Sequence, residues 1–472
     1  MVIGALAVDL VVVALLVAIA LRHRTALRAG WMELRRVDVP RRDAIGLAIL
    51  TIGATLLRAP LLRRPMGTDE AASFLYYASK PLVVGLTIYG SPNNHLLHTA
   101  LMHAAWRLFG THEWALRLPA FAFGIALVPL TYFAARSLVG EGGLMASAFV
   151  AAAPIFVDYS TDGRGYTMLC AFTLAALLAM LRVVRTQNPV ATGLFAIHVA
   201  LGAFAVPAMI YPFAMFVAWR PRKMFAGAIL AGVATLILYL PVLAVSGVAA
   251  ITANPYVRPL PFDRFIAEFP RAVAAMWTSW MTAIPVILQI VIGIAFVAGV
   301  VRARVTLWLG AIAVLALLAL QRVIPFTRVW LPFAILFVIT ASAALPWRRW
   351  EPLAAAVLFA VLAIAACTVP RLRETGELPH VREIARDLAT RAAVTDAVVA
   401  APPSDVPLAF YLDARVLRPD LIRARRLFIV TNRAYGTSLD DTLRVLRIDS
   451  RHFAIHQVRE LGESAIYELD RL

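Results

Sequence analysis

The sequence predicts an α-helical protein that crosses a membrane many times and ends in a small α/β domain outside the membrane. Of its 472 residues, 61% are apolar and 15% are charged, whereas soluble domains contain roughly 45–50% apolar and about 25% charged residues. The apolar residues form runs of about twenty, the length that a helix needs to cross a bilayer. These proportions exclude a soluble globular protein.

The charge is distributed unevenly along the chain. The net charge is +17, but residues 371–472 contain 16 arginines and 15 acidic residues, so nearly all of the positive excess lies upstream. The upstream arginines stand in short clusters between apolar runs, as the positive-inside rule describes for cytosolic loops. This placement explains the basic composition without nucleic-acid binding.

Three parts are expected along the chain. Residues 1–43 comprise an N-terminal anchor helix, at 1–21, and a basic cytosolic loop with seven arginines. Residues 44–370 form the transmembrane domain, and residues 371–472 form a soluble domain. Together with the anchor, the sequence contains about 12–13 hydrophobic segments. From residue 44 onward these lie at 44–62, 95–110, 118–138, 143–157, 166–184, 190–206, 208–219, 224–245, 281–301, 305–320, 329–345 and 351–369.

The arginine clusters also predict which loops lie outside. From residue 166 onward, the alternation places 246–280, the soluble domain and the stretch 157–165 on the outer face, together with the loop 63–94. Three apolar runs lie between the loop 63–94 and the stretch 157–165. Because both of these are expected on the outer face, the chain must cross the membrane an even number of times between them. One run within 95–157 therefore does not cross. The run 95–110 is the candidate, because it is short and also carries His95, His98, His103 and Arg107.

The C-terminal part alternates between helical and extended patterns. Helices are predicted at 381–392, 405–412 and 439–446, and strands at 396–401, 426–431, near 452–458 and at 464–469. This alternation is typical of a small α/β domain.

A pair of carboxylates, Asp69 and Glu70, follows the exit of the helix predicted at 44–62. A carboxylate at the outer interface can act as a general base or ligate a metal. The alternative is that Asp69, assisted by Thr68, caps the following helix. His95 and His98 share a helix face, and this spacing suits either metal ligation or simple hydrogen bonding.

A second polar constellation stands in the sequence DYSTDGRGYTM, where Arg164 and Tyr166 begin a membrane helix beside Asp162. An arginine at an outer helix start suits a bidentate contact with phosphate, and the helix N-terminus adds partial positive charge. The alternative is an interfacial tyrosine with a snorkelling arginine. Lys80 and Arg328 are further basic candidates on this face.

These groups together suit transfer from a lipid-borne phosphate donor to a hydroxyl acceptor. The alternative is a transporter or flippase of a lipid-linked sugar. Transport requires functional charges near the bilayer midplane and broken helices in paired positions, whereas the charges of this sequence cluster at one interface.

Four motifs carry a resemblance to a known family. TDEA, SPNNHLLHTAL, FGTHEWALRLPAF and YSTDGRGYTML, in this order and spacing, resemble the GT-C glycosyltransferases of the protein O-mannosyltransferase and lipid A aminoarabinose transferase clan, which are glycosyltransferase family 39-like. The resemblance is close over residues 44–186 and continues beyond them as topology. It implies inverting transfer of a hexosyl or pentosyl group from a polyprenyl-phosphate donor to a hydroxyl of an envelope glycan, lipid or protein, on the extracytoplasmic face of a bacterial plasma membrane.

The resemblance also implies roles for individual residues. Asp69 matches the catalytic carboxylate and Glu70 its acidic neighbour. Arg164 is expected to stabilise the departing lipid phosphate, with Lys80 and Tyr166 as further donor contacts. The expected substrate-binding residues are Asn94, His95, His98, Asp162 and Arg328. The segment 94–97, Asn-His-Leu-Leu, departs from an HPPL-type motif, so the acceptor class stays open. Some relatives bind a divalent metal ion at the acidic loop and others do not, so this question stays open too.

Overall fold

The computed structural model describes residues 39–346, 348–368, 376–393, 395–412 and 426–472, together with Val11, Arg22, Arg24, Thr25, Arg28, Ala29 and Ala424. The anchor helix expected over 1–21 lies outside the described residues apart from Val11. The domain boundary expected at 370 also lies outside them.

The described part of the membrane portion is helical throughout. Its helices are α1 (Arg41–Arg58), α2 (Thr68–Ser73), α3 (Leu82–Thr87), α4 (Leu96–Phe109), α5 (Glu113–Leu138), α6 (Gly143–Ala152), α7 (Pro154–Ser160), α8 (Tyr166–Thr186), α9 (Pro189–Ala205), α10 (Ile210–Trp219), α11 (Pro221–Thr252), α12 (Phe262–Trp280), α13 (Val286–Arg302), α14 (Ala311–Gln321), α15 (Leu331–Ser342) and α16 (Glu351–Thr368). Short 3-10 turns lie at Ala59–Arg63, Pro207–Met209, Thr306–Gly310 and Thr327–Trp330, and a π-helical turn lies at Phe74–Ala78.

Within the described residues, five helices are long and apolar enough to cross a membrane. They are Arg41–Arg63, Glu113–Leu138, Tyr166–Thr186, Pro221–Thr252 and Glu351–Thr368. Two bent pairs raise the number to seven: α6 with α7, bent by 62°, and α13 with Thr306–Gln321, bent by 101°. Large apolar side chains along α13, such as Ile287 and Ile294, are exposed, as expected for a surface that faces lipid. The chain is a multi-pass membrane protein.

Each apolar run predicted from residue 44 onward corresponds to a helix, but several helices are too short to span a bilayer alone. Helix α4 has 14 residues, fewer than the roughly 20 that a straight crossing needs. That 95–110 is the run that does not cross stays a prediction. The run 143–157 departs from a straight span in another way, because it is broken between α6 and α7.

The break between α6 and α7 has a physical cause and a compensating partner. Pro154 lacks an N–H, so the carbonyl of Val150 cannot receive its helical hydrogen bond. Arg58, which is fully buried, donates from Nη2 to this carbonyl at 3.0 Å and from Nη1 to the carbonyl of Ala151. An unsatisfied carbonyl at membrane depth is costly, and the arginine supplies the missing donor.

Helix α8 lies at the centre of the membrane portion and is the most buried of the five spans. It packs between α5 and α9, and alanines such as Ala171 and Ala176 line its buried surface. Small side chains allow neighbouring helices to approach closely. Because α8 begins at Tyr166, the loop 161–165 opens from the centre of the bundle.

The described C-terminal part forms a four-stranded sheet with helices on both faces. Its elements are α17 (Val381–Arg391), β1 (Ala397–Ala400), α18 (Asp405–Tyr411), β2 (Arg426–Asn432), α19 (Leu439–Leu446), β3 (Phe453–Leu461) and β4 (Ser464–Arg471). The strand order is β1–β2–β4–β3, with β1 and β2 parallel and the other pairs antiparallel. Helices α17 and α18 cover one face and α19 covers the other. The α/β pattern predicted for this part is confirmed.

Candidate active site

Glu70 caps helix α2. Its Oε1 accepts a hydrogen bond from the N–H of Gly67, the residue that precedes the helix, at 2.8 Å. The alternative in which Asp69 is the cap is therefore wrong, because Asp69 is the second residue of the helix. The Asp69 side chain is 27% exposed, so its carboxylate is available for a substrate.

A buried ion pair between Glu70 and Arg117 fixes the loop before α2. Arg117 Nε donates to Glu70 Oε2 at 2.8 Å, and the N–H of Gly163 donates to the same oxygen at 2.8 Å. The carbonyl oxygens of Leu62, Arg64 and Pro65 accept further hydrogen bonds from Arg117. Burial by itself raises the pKa of the Glu70 carboxyl, but the charge and hydrogen bonds of Arg117 outweigh burial and hold this pKa below its usual value.

Asp69 faces two arginines that are distant in sequence. Arg164 Nη1 donates to Asp69 Oδ2 at 2.6 Å, and the Arg164 side chain is 3% exposed. Arg328, on the 3-10 turn Thr327–Trp330, places its Nη2 3.9 Å from the same oxygen. The structure thus brings together the carboxylate and two of the cations predicted from the sequence.

Tyr166 connects the two arginines. Its hydroxyl accepts a hydrogen bond from Arg328 Nε at 2.8 Å. The guanidinium carbon of Arg164 lies 5.1 Å from the centre of the Tyr166 ring, and that of Arg328 lies 5.8 Å from it. Both distances are within the range of cation–π attraction. The ring therefore holds two like charges close together at the start of α8.

His95 and His98 are neutral imidazoles beside this cluster. His95 Nδ1 accepts a hydrogen bond from the N–H of Gly165 at 2.9 Å, so this nitrogen carries no proton. Burial and the charge of Arg164 lower the pKa of His95 well below its usual value, and lower the pKa of His98 to about 3. His98 Nε2 is buried without a hydrogen-bond partner in the described part of the chain.

The site residues do not fit a divalent metal ion. The carboxylates of Asp69 and Glu70 are paired with Arg164 and Arg117, and His95 Nδ1 is occupied by a backbone N–H. Over the described ranges, no group of three or more His, Cys, Asp or Glu side chains is placed to hold a metal ion.

Asp162 is a buried carboxyl in the loop 161–165. Burial and the negative charge of Glu70 raise its pKa to about 7, although Arg164 acts in the opposite direction. Its backbone carbonyl accepts the N–H of Arg164 at 2.7 Å. Asp162 therefore changes its charge near neutral pH beside the arginine that contacts Asp69.

Two predicted residues lie apart from the cluster. The Asn94 amide is engaged with the backbone, because its Nδ2 donates to the carbonyls of Gly85 and Ile88, and its Oδ1 accepts from Thr99 Oγ1. Lys80 is exposed after the π-helical turn, and its side chain forms no ion pair or hydrogen bond with the rest of the described chain. The second cation beside Asp69 is therefore Arg328 and not Lys80.

Sequence reasoning missed Arg117 and two groups that hold the backbone of Asp69. Asn93 Nδ2 and Ser73 Oγ donate to the Asp69 carbonyl at 2.7 and 2.8 Å. The sequence could have indicated Arg117, because this arginine stands in an otherwise apolar stretch of a membrane helix, where a charged side chain requires a partner.

An apolar cavity of about 230 Å³ adjoins the turn that carries Arg328. Residues on both sides of that turn line it, including Val323, Ile324, Trp330 and Phe333. The amphipathic helix α12 closes one side with Phe269 and Met276, among other residues, and α14 closes another. The cavity is therefore an apolar groove beside the turn that carries Arg328.

Comparisons with known proteins show a similarity in sequence over part of the chain and a similarity in fold over most of it. Residues 72–245 match a family model described as Dolichyl-phosphate-mannose-protein mannosyltransferase. The crystal structure of ArnT from Cupriavidus metallidurans in the apo state superposes on the chain with a TM-score of 0.52 and 16% identity, covering 90% of this chain and 98% of ArnT. The fold of the chain is therefore similar to that of ArnT. The segment that matches the family model includes Arg117 and Arg164 but begins after Asp69.

Two further solved structures resemble this chain. ArnT from Cupriavidus metallidurans bound to undecaprenyl phosphate has a TM-score of 0.49 and 14% identity, covering 90% of this chain and 97% of ArnT. The Archaeoglobus fulgidus oligosaccharyltransferase tethered with an acceptor peptide has a TM-score of 0.46 and 12% identity, covering 80% of this chain and 59% of its own. No curated protein matches the sequence significantly.

Proposed function

We propose that this protein transfers a sugar from a polyprenyl-phosphate carrier to a hydroxyl group of an envelope glycan, lipid or protein, with inversion, on the extracytoplasmic face of a bacterial plasma membrane. The observation that carries the proposal is the partly exposed Asp69 carboxylate, held against Arg164 and Arg328. The description of the matching family, which names a dolichyl-phosphate sugar donor, supports the lipid-linked donor.

The charges of the cluster favour a phosphate. Glu70 and Arg117 neutralise each other, and Asp69 balances one of the two remaining arginines, Arg164 and Arg328. When Asp162 is protonated, one unit of positive charge is left. Guanidinium groups bind phosphate oxygens through charge-assisted, bidentate hydrogen bonds, so this excess suits the donor phosphate.

Asp69 is the proposed general base. The acceptor oxygen attacks the anomeric carbon, and its proton passes to the Asp69 carboxylate as the new carbon–oxygen bond forms. The bond from the anomeric carbon to the phosphate oxygen breaks, and its electron pair leaves with the polyprenyl phosphate. Arg164 and Arg328 stabilise the negative charge that develops on the departing phosphate. A single displacement inverts the anomeric configuration.

The apolar groove is the proposed place for the isoprenoid chain. Arg328 stands on the turn between groove residues Pro325 and Trp330. A donor whose phosphate contacts Arg328 can therefore lay its hydrocarbon chain along the groove and bury apolar surface there.

The position of the charged cluster favours transfer over transport. Asp69 lies at the start of α2, Arg164 in a loop, and Arg328 on a 3-10 turn. Groups that guide a substrate across a bilayer are expected near its midplane, whereas these groups lie at helix ends.

The experiment begins with mass spectrometry of envelope glycans from a deletion strain, since the missing residue identifies the sugar and its acceptor. Purified protein is then assayed with the corresponding polyprenyl-phosphate sugar. We expect Asp69→Asn to abolish transfer, whereas Asp263→Asn, the same change at an exposed position of α12, leaves it intact. NMR of the product is expected to show the inverted anomer. Wild-type turnover by Asp69→Asn would remove this residue from the mechanism.

A further inference from the structure

The soluble domain holds the catalytic loop on both sides of Gly67. The N–H of Met66 donates to the hydroxyl of Tyr411 at 2.9 Å. The N–H of Thr68 donates to the carbonyl of Gly376 at 3.0 Å, and Thr68 Oγ1 donates to the carbonyl of Pro403 at 2.7 Å. The first N–H groups of a helix have no partner within the helix. The soluble domain supplies one for Thr68, and it also supplies one for Met66, which precedes the helix.

A buried asparagine of the soluble domain holds both acceptors in place. Asn432 is fully buried at the end of β2. Its Nδ2 donates to the carbonyl of Glu377 at 2.8 Å and to Ser404 Oγ at 2.9 Å. These residues directly follow Gly376 and Pro403, whose carbonyls receive Thr68. Hydrogen bonds at neighbouring residues, joined by the peptide bonds Gly376–Glu377 and Pro403–Ser404, therefore connect the sheet to the residue that precedes Asp69.

Further contacts join the same two surfaces. The Tyr411 hydroxyl donates to Glu113 Oε1 at 2.8 Å, and Arg382 Nε donates to the same oxygen at 2.9 Å. The rings of Phe410 and Phe74 meet edge to face, with centroids 5.6 Å apart. The contact combines apolar packing with charge-assisted hydrogen bonds, which favours one fixed arrangement.

The loop requires such support. Helix α2 has six residues, and isolated helices shorter than roughly 12–15 residues are marginal in water. The Asp69 side chain is partly exposed, so its direction depends on the backbone of α2. A displacement of about 1 Å in a catalytic group can reduce turnover about a hundredfold.

We propose that the soluble domain is a structural part of the active site, in which Thr68 and Asn432 are positioning residues that hold the Asp69 carboxylate toward Arg164. This inference rests on the proposed role of Asp69. It gives the soluble domain a role in turnover that does not depend on binding a separate partner.

The test compares variants of the full chain in detergent, with donor concentration varied. We expect Thr68→Val to lower kcat about tenfold or more with little change in the KM for the donor, because alignment is lost and binding is kept. Thr68→Ser keeps the hydroxyl and restores turnover. Thr442→Val is the matched control, because Thr442 is buried in the soluble domain and donates to the Ser438 carbonyl at 2.8 Å.

Hydrogen–deuterium exchange gives a second readout. Thr68→Val and Asn432→Leu are expected to speed amide exchange in residues 66–73, whereas Thr442→Val leaves that exchange unchanged. If Asn432→Leu fails to fold, the kcat and the amide exchange of Thr68→Val alone test the inference. The inference is overturned if Thr68→Val keeps the wild-type kcat, or if Thr442→Val loses as much. An active Asp69→Asn variant instead overturns the proposed function itself, so the two failures are distinguishable.

Discussion

Arg164 Nη1 lies 2.6 Å from Asp69 Oδ2, although 95 residues separate them in the chain. The fold brings them together because α8 is the central helix and begins two residues after Arg164, while Glu70 ties the Asp69 loop to Gly163, which adjoins Arg164. The hydrogen bond between Gly163 and Glu70 thus joins the two short stretches of backbone that carry Arg164 and Asp69.

Arg164→Ala is expected to impair use of the donor. Loss of a buried cation that binds the phosphate should lower kcat/KM for the donor about 10²–10³-fold, with the KM for the acceptor nearly unchanged. Steady-state kinetics with each substrate varied in turn measure both quantities. Arg264→Ala, an exposed arginine of α12, serves as the control. A defect confined to the acceptor would reassign Arg164.

Arg328→Gln and Lys80→Gln separate the two candidates for the second cation. Arg328 lies 3.9 Å from Asp69 and donates to Tyr166, whereas the Lys80 side chain forms no ion pair in the described part of the structure. We expect Arg328→Gln to raise the KM for the donor about tenfold or more, and Lys80→Gln to raise it less than twofold. A larger increase in the donor KM for Lys80→Gln than for Arg328→Gln would instead support Lys80 as the second cation, as expected from the sequence.

Arg117→Met should destabilise the protein strongly. It leaves the ionised Glu70 carboxylate buried without its partner, and breaking a buried pair costs about 3–5 kcal/mol. Thermal unfolding in detergent measures the loss. The double variant Glu70→Gln/Arg117→Met should lose less than the sum of the single losses. Arg444→Met, at an exposed ion pair, should cost less than about 1 kcal/mol, and an equal loss there would contradict the prediction.

The pKa of Asp162 near 7 predicts a pH effect on donor binding. As the pH rises through about 7, Asp162 gains a negative charge beside Arg164, so the KM for the donor should increase between pH 6 and 8. The folded state prefers the protonated form, since this pKa exceeds the roughly 3.9 of an unfolded aspartate. Folding stability should therefore fall as the pH rises from about 4 to 7.

Asp162→Asn provides the control for this pH effect. The variant cannot ionise, so we expect a donor KM that is flat between pH 6 and 8 and a melting temperature above that of the wild type at pH 8. An unaltered pH profile in this variant would assign the titration to another group.

Arg58→Leu should destabilise the break between α6 and α7. The carbonyls of Val150 and Ala151 lose their donor, and each unsatisfied buried carbonyl costs about 1–3 kcal/mol. Thermal unfolding should show the loss, and Arg58→Lys should recover part of it. Arg185→Leu removes an arginine whose hydrogen bond is exposed, and should change little. Full stability of Arg58→Leu would show that the carbonyls find other partners.

The sequence predicted the α/β elements of the soluble portion and the pairing of Asp69 with Arg164. The first rests on local periodicity, which survives in the fold because each element buries one face. The second rests on charge at one interface, since few ionisable residues are tolerated near the bilayer. Both signals depend on residues close together in the sequence or on one shared surface.

The roles of Glu70 and Lys80 could not be read from the sequence. Glu70 stands beside Asp69 and has the same chemistry, and only burial against Arg117 separates a structural carboxylate from an accessible one. Lys80 is nearer to Asp69 in sequence than Arg328 is, yet the fold brings Arg328 to the carboxylate. The bends between helices also could not be predicted, because hydrophobicity indicates the length of an apolar segment and not the direction of its helix axis.

The bend between α6 and α7 at Pro154 determines the position of the loop 161–165, which carries Arg164. Helix α7 has seven residues, so it is about 10 Å long. Its 62° turn away from α6 moves its far end by about 10 Å from the place where a straight continuation would leave it. If the helix were straight, the Arg164 side chain could not cover this distance to Asp69 by a small rearrangement. Arg58 stabilises the end of α6 at this bend. It therefore affects the position of Arg164, which it does not contact.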